Sequence, residues 1–479
     1  MTSTPIIDIH VHSTIKPYGN SFYSNSNKKS ISDAACVWFR DNYGGMDTFY
    51  ENLLGISRYR QSDFSTLADS QHRIICLSIY PVEKEFINVQ NSVLKYGENY
   101  IAQFASLFGK KRVEDIKSPN YNYFADYKKE FAFLLELDNK FPIGGAKKYK
   151  VMNKLSDLDS DVSLLVVPTV EGCHFLCEGN DTTNLSNWRN LEANVRYIKN
   201  NPNPLFFVTF AHHFYNGLCT HAKSLFDMTG NLLNQKIGMR DYNIPNTDGL
   251  APISTIGKQL IDLLLTTTNG NRILIDVKHM SKEARTAYYA ILASDKYKNE
   301  KIPIIYSHGA VGIDEPLDIN LNLADVYEIY KSKGIIGIEM DQRILGYNHN
   351  RFSKWFRNIF RKRQKESYLE AEYFWKQIIT IAEFAYTNGF SENPWQCICL
   401  GSDYDGIINP LNSYRDSSTM STLYMNLISY LNDYWSKRSV IPKKQGVDAQ
   451  DIIYQIMYKN AYNFIKTHYL EKLREEAIV

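Results

Sequence analysis

Eight short, almost continuously apolar runs recur along the chain, each long enough for a strand and too short for a buried helix. They are IIDIHVH from Ile6, RIICLSIY from Arg73, SLLVVPTVEG from Ser163 and PLFFVTFAHH from Pro204. The second half adds RILIDVKH from Arg272, IPIIYSHG from Ile302, GIIGIEMD from Gly334 and CICLGSDYDG from Cys397. Apolar character without alternation means burial on both faces, the mark of parallel strands. Between the runs lie helical patterns. ISTIGKQLIDLLLTT from Ile253 has apolar positions at helical spacing, and NLADVYEIYKSKG ends at a stop-signal glycine, Gly334. Eight strands alternating with helices predict a closed α/β barrel, the (β/α)8 TIM fold, over residues 1–479 as one domain. An open doubly wound sheet is the alternative, but no glycine-rich phosphate loop follows the first run.

The spacing is uneven. Insertions are expected at about 13–72, 85–160 and 345–395, far longer than ordinary connections. YNYFADYKKEFAFLLELD and RFSKWFRNIFRKRQKESYLEAEYFWKQIITIAEFAY read as extra helices, suited to a cap over the barrel or to a subunit contact in a homodimer. RKRQK within the latter reads as a solvated helix face, and SNSNKKS near Ser24 as loop.

Of the 479 residues, 54 are basic and 52 acidic, for a net charge of +2. A chain so nearly neutral has no general attraction for nucleic acid or an anionic membrane, and a small ligand in a pocket is the better expectation. No run is long enough for a membrane helix, and MTSTPIIDIHVHS lacks the basic region of a secretory signal. The seven cysteines are scattered and odd in number, so they read as small buried hydrophobes in a reducing, cytoplasmic protein.

The chemistry falls at the ends of the runs. Residues two apart on a strand share a face, so His10 and His12 point to one side together. The third run ends at Glu171, the fourth at His212 and His213, the fifth at His279, the sixth at His308, and the eighth at Asp403 and Asp405. In a parallel barrel such ends converge on one mouth. Histidines with a carboxylate are ligands of zinc type, and more of them than one ion needs points to a binuclear site bridged by the carboxylate. Two such ions about 3.5–4 Å apart share one hydroxide and polarise a carbonyl. By alternation Lys278 faces away from His279, and His213 away from His212. Asp8 reads as an orienter of a histidine ligand and Asp405 as a supporting group; His174 reads as a loop stabiliser. His72, His221, His349 and His468 lie in loops or helices away from the strand ends, and Tyr306 has no assigned part.

The ordered set DIHVHS, SIYPVE, VEGCH, FAHHFYN, GLAPISTIGKQL, IDVKHMS, PIIYSHGAV and LGSDYDG, with the tail GVDAQDIIYQIMYKNAYNFI, resembles the membrane (renal) dipeptidase family of the amidohydrolase superfamily. The resemblance implies that His10, His12 and Glu171 hold one zinc and Glu171, His279 and His308 the second. It implies that His212 contacts the substrate and stabilises the oxyanion, while Asp403 takes a proton from the bridging water and returns it to the leaving amine. Two departures stand out. The first motif is His-x-His where the family has His-x-Asp, which leaves the site one unit more positive. No arginine occurs in DEPLDINLNLADVY, where the family places its carboxylate clamp; Asn320 or a neighbour takes that place, and Arg343, in EMDQR, is the candidate substitute.

The expected activity is that of a binuclear zinc hydrolase cleaving the amide bond of dipeptides or similar small amides. Lactone, phosphoester or cyclic-amide hydrolysis is the alternative within the same chemistry, and an inactive barrel acting as a binding protein is the alternative outside it.

Overall fold

The computed structural model describes residues 4–44, 47, 57, 59–86, 108–223, 249–312, 317–346, 365–437 and 439–469. Nine strands form a single parallel sheet: β1 (Ile6–Val11), β2 (His72–Ile79), β3 (Tyr149–Val151), β4 (Leu164–Glu171), β5 (Phe207–Thr209), β6 (Leu274–Asp276), β7 (Ile305–Tyr306), β8 (Ile335–Ile338) and β9 (Ile398–Leu400). Their order is β2-β1-β9-β8-β7-β6-β5-β4-β3, and β2 also pairs with β4, which closes eight of them into a barrel. The eight apolar runs are the eight barrel strands. β1 and β4 are buried at every position, as strands covered on both faces must be.

β3 was not expected; it falls within the stretch about 85–160 read as insertion. It lies against Leu164, Leu165 and Val166 at the start of β4, on the edge that β5 takes over at Val170 and Glu171. Three residues, YKV, are too few to show a pattern, and β4 supplies the template on which they become a strand.

The helices begin where the sequence provides caps. Ser254 accepts from the Gly257 amide at the start of Thr255–Leu265, whose buried face is Gly257, Leu260, Ile261, Leu264 and Leu265. Asn322 and Asp325 form a reciprocal capping box on Leu323–Lys331. Asn122 caps Tyr123–Leu135, the first of the helices expected in the insertions. Glu366–Thr387 falls within the second stretch; residues 351–364, with most of RKRQK, lie outside the described residues, as do His349 and residues 470–479. The closing segment runs through Ala449–Tyr454, a π-turn and Asn460–His468, and the Asn460 amide donates to the Trp395 and Ile398 carbonyls beside β9.

All seven cysteines are buried and unpaired. Among the described residues no helix is long and apolar enough to cross a membrane.

Candidate metal centre

The seam between the first and last barrel strands builds one side of the site. The His12 amide donates to the Tyr404 carbonyl at 2.8 Å and the Asp403 amide to the His10 carbonyl at 3.0 Å. Two side chains from β1 and its end, and one just past β9, are thereby fixed together although they stand at opposite ends of the chain. His10 Nε2 lies 3.1 Å from His12 Nε2, and Asp403 Oδ1 lies 3.7 and 3.4 Å from these two nitrogens.

Glu171, the last residue of β4, occupies the centre. Its Oε1 is 3.6 Å from His10 Nε2, 3.2 Å from His279 Nε2 and 3.5 Å from His308 Nε2. Its Oε2 is 3.0 Å from His12 Nε2 and 3.4 Å from His212 Nε2. One buried carboxylate is thus surrounded by the same nitrogen of five imidazoles, contributed by four different strand ends besides its own.

Neighbours hold these rings in place. The Ser307 hydroxyl lies 2.8 Å from His308 Nδ1 and donates to Asp276 Oδ2, which also accepts from Thr209. His212 Nδ1 lies 2.5 Å from Glu83 Oε2, and Glu83 accepts further from the Tyr80 hydroxyl and the Phe214 amide. Such partners on the far nitrogen fix tautomer and ring plane. Glu83 ends SIYPVE, but an acid in a loop after an unremarkable strand gives no signal until the fold brings it to His212. Asp8 does not orient a ring, contrary to expectation: it accepts from the His10 and Ser402 amides, positioning His10 through the backbone. Asp405 turns away from the cluster and accepts from Lys16, Gln61 and Ser62.

An open cavity leads to the cluster, lined among others by Tyr80, Phe86, His212, His213, Lys278, Glu339, Arg343 and Asp403. Two expectations from strand parity fail here. Lys278 and His213 both line the cavity, and the His213 ring centroid is 4.2 Å from that of His212 and 4.9 Å from that of His279. The strands end too early for alternation to hold: β6 stops at Asp276, and His279 has φ +65°. Asn320 is not brought to the cavity; its buried amide donates to the Ile344 carbonyl. Arg343 does reach it, gripped from behind by Asp341, which accepts from Nε and Nη2. His174 bonds the Pro81 carbonyl, and His221 that of Ala222, as supports of loops. His72 opens β2 rather than lying outside the strands, and is buried beside the Ser70 hydroxyl.

Burial sets most of the electrostatics. It lowers the pKa of His279 to about 3 and of His212 to about 4, and holds His10 and His308 well below the usual imidazole range. Burial acts the same way on His12, but its contacts with Asp403 and Glu171 outweigh it and raise its pKa to about 10. Glu171 also resists ionisation through burial, yet the surrounding imidazoles, His212 and His10 foremost, hold its carboxyl well below the usual range. Asp403 is raised to about 6, by burial against the pull of His12. Neutral imidazoles facing an ionised carboxylate are the state in which these groups coordinate a cation, and His12, whose proton Asp403 and Glu171 favour, would have to release it to a bound ion.

The donor set fits a metal. Asp403 Oδ1 is buried with no hydrogen-bond partner and faces two imidazole nitrogens. Among the described residues three groups have ligand atoms within 4.8 Å of one another: His10–His12–Glu171, Glu171–His212–His279 and His10–His308–Asp403. The first is the set expected for one ion. In the others the expected pair of His279 and His308 is divided, His212 closing on Glu171 with His279, and His308 grouping with His10 and Asp403.

Solved structures share this architecture. The dipeptidase AC, a metallo peptidase, matches with a TM-score of 0.52 at 12% identity over 98% of this chain and 99% of its own. A metallo peptidase from Rhodobacter sphaeroides, liganded with a phosphinate mimic of the dipeptide L-Ala-D-Ala, matches with 0.53 at 12% over 98% and 100%. The probable dipeptidase PvdM from Pseudomonas aeruginosa matches with 0.51 at 13% over 96% and 94%. No family model matches the sequence, and no curated protein does. The likeness therefore lies in the fold, and it runs nearly the whole length of the chain: this is an α/β barrel with a histidine-rich mouth.

Proposed function

We propose that the protein is a zinc-dependent hydrolase that cleaves the amide bond of dipeptides or similar small amides. The observation that carries this reading is the single buried carboxylate, Glu171, met by five imidazole nitrogens at 3.0 to 3.6 Å. Nothing in core packing calls for such a cluster, whereas two cations sharing one carboxylate do. His10, His12 and Glu171 would hold one zinc; Glu171 with His279 and His308 would hold the other. When bound, the ions supply an acidified water and a Lewis acid for the amide carbonyl.

The chain's own groups account for the rest. Asp403, with a pKa of about 6 and an unpartnered oxygen in the cluster, is suited to hold a proton and to pass it to a leaving amine. His212 faces the cavity with Glu83 at its Nδ1 fixing the ring, and as an imidazolium it would offer its Nε2–H to a developing oxyanion. Arg343 is available to the substrate from the same cavity. The Rhodobacter sphaeroides structure with its dipeptide mimic supports that substrate class.

Elemental analysis of the purified protein should find close to two zinc ions per chain. Hydrolysis of a dipeptide library should stop with chelator and return with zinc. A fully metallated protein inert toward every dipeptide, but active on a lactone or phosphoester, would overturn the proposed substrate.

A further inference from the structure

The cavity contains a buried cation that the proposed reaction does not use. Lys278 is 1% exposed and lines the cavity. Its Nζ donates to Glu339 Oε2 at 3.1 Å and lies 5.5 Å from the centroid of the Tyr306 ring. An ammonium has three donors, and among the described residues this one meets a single oxygen. Its charge acts on His10, His212, His279, His308 and Asp403, so it stands close to the reacting centre. A cation in that position opposes metal binding and attracts an anion.

A second cation shares the cavity. Asp341, fully buried, accepts from Arg343 Nε at 2.9 Å and Nη2 at 2.5 Å, as well as from the amides of Arg343 and Asn409. That grip fixes the guanidinium and leaves Nη1 without a partner among the described residues. Glu339 lies close enough to act on both cations. Two anchored positive groups with unused donors therefore look onto one cavity, and an ammonium and a guanidinium together fit a carboxylate.

We propose that Lys278, assisted by Arg343, is the binding group for the substrate's carboxylate, and that this pair selects free acids over amides. The assignment rests on the hydrolase reading only in taking the bound anion to be part of the substrate.

Calorimetric titration of the zinc-loaded protein with N-acetylglycine and with N-acetylglycinamide tests it. Wild type should bind the acid at least tenfold more tightly than the amide. Lys278→Met should remove that preference, and Lys278→Arg should keep it within about threefold. Because Lys278→Met leaves Glu339 unpaired in the interior, Lys278→Met/Glu339→Gln is measured beside it. Loss of the preference in a double variant that retains the wild-type Tm supports the assignment. The assignment is overturned if wild type shows no preference for the acid, or if the double variant keeps it. Should wild type bind the acid through Lys278 yet cleave no dipeptide, the hydrolase reading fails and the carboxylate site stands.

Discussion

At the scale of the residue, burial decides which protonation states the fold tolerates, and His72 shows this apart from the site. It is 1% exposed, its Nε2 has no partner, and burial lowers its pKa from 6.5 to about 3. Because the folded state disfavours the protonated ring, His72 costs nothing above pH 6.5. Its penalty grows as pH falls through 6.5 toward 3, where the unfolded chain gains a proton that the folded one refuses. Between pH 7 and 5 the loss is about 2 kcal/mol, from 1.36 kcal/mol per pH unit below 6.5. Urea unfolding of wild type and His72→Gln at the two pH values should show that much less acid sensitivity in the variant; equal sensitivity would contradict it. At this scale the sequence showed most of the site. His10, His12, Glu171, His212, His279, His308 and Asp403 were visible as polar endings of apolar runs, and the fold brings all seven together. Lys278 and His213 were visible but assigned by parity to the opposite face, and Glu83 and Glu339 carried no signal. Strand parity applies only to paired strand residues, whereas His279 and Asp403 have φ +65° and +59° beyond the last of them.

At the scale of the element, the barrel positions the site by how closely its strands approach one another. A Cβ built on Gly401, just past β9, would lie 1.9 Å from the Ser307 carbonyl oxygen and 3.1 Å from the Gly337 Cα; one built on Gly337 would meet the same oxygen at 1.9 Å. These glycines let β7, β8 and β9 converge around the Ser307 backbone, and the Ser307 side chain in turn holds His308 and Asp276. Gly401→Ala must push that backbone aside, so it should destabilise the fold by about 3 kcal/mol, the upper range for overpacking a dense core. It should also weaken zinc retention through His308. Thermal unfolding and zinc content measured on the same preparation check both effects; a variant with the wild-type Tm would show that the convergence is not needed. The sequence marked the strands by their apolar runs, but a glycine beside a strand carries no sign of what approaches it. Nor did it mark β3, whose strand character comes from docking on β4.

At the scale of the whole molecule, the site joins parts of the chain that nothing local connects. Its donors come from the ends of β1, β4, β5, β6, β7 and β9, from His10 to Asp403. That closure was the arrangement expected of eight doubly buried runs alternating with helices once no glycine-rich loop pointed to an open doubly wound sheet. The helical layers over it were less legible, since their long aromatic stretches follow the period of packing against other helices and not of the sheet. A cation held at the mouth binds the native arrangement and has no comparable site in the unfolded chain, so it stabilises by mass action. With free zinc a thousandfold above its dissociation constant, the gain is about 4 kcal/mol. Removing zinc should therefore lower the wild-type Tm by several degrees, and adding it back should restore the value. Glu171→Gln tests whether the central carboxylate is the common ligand. Without zinc the variant should unfold below the zinc-free wild type, since the imidazoles that favour the ionised carboxylate lose their partner. With zinc it should gain little, because both proposed ligand sets share Glu171. If Glu171→Gln were stabilised by zinc as strongly as wild type, the ions would have to be held by the histidines and Asp403 alone, and a carboxylate-bridged pair would be excluded.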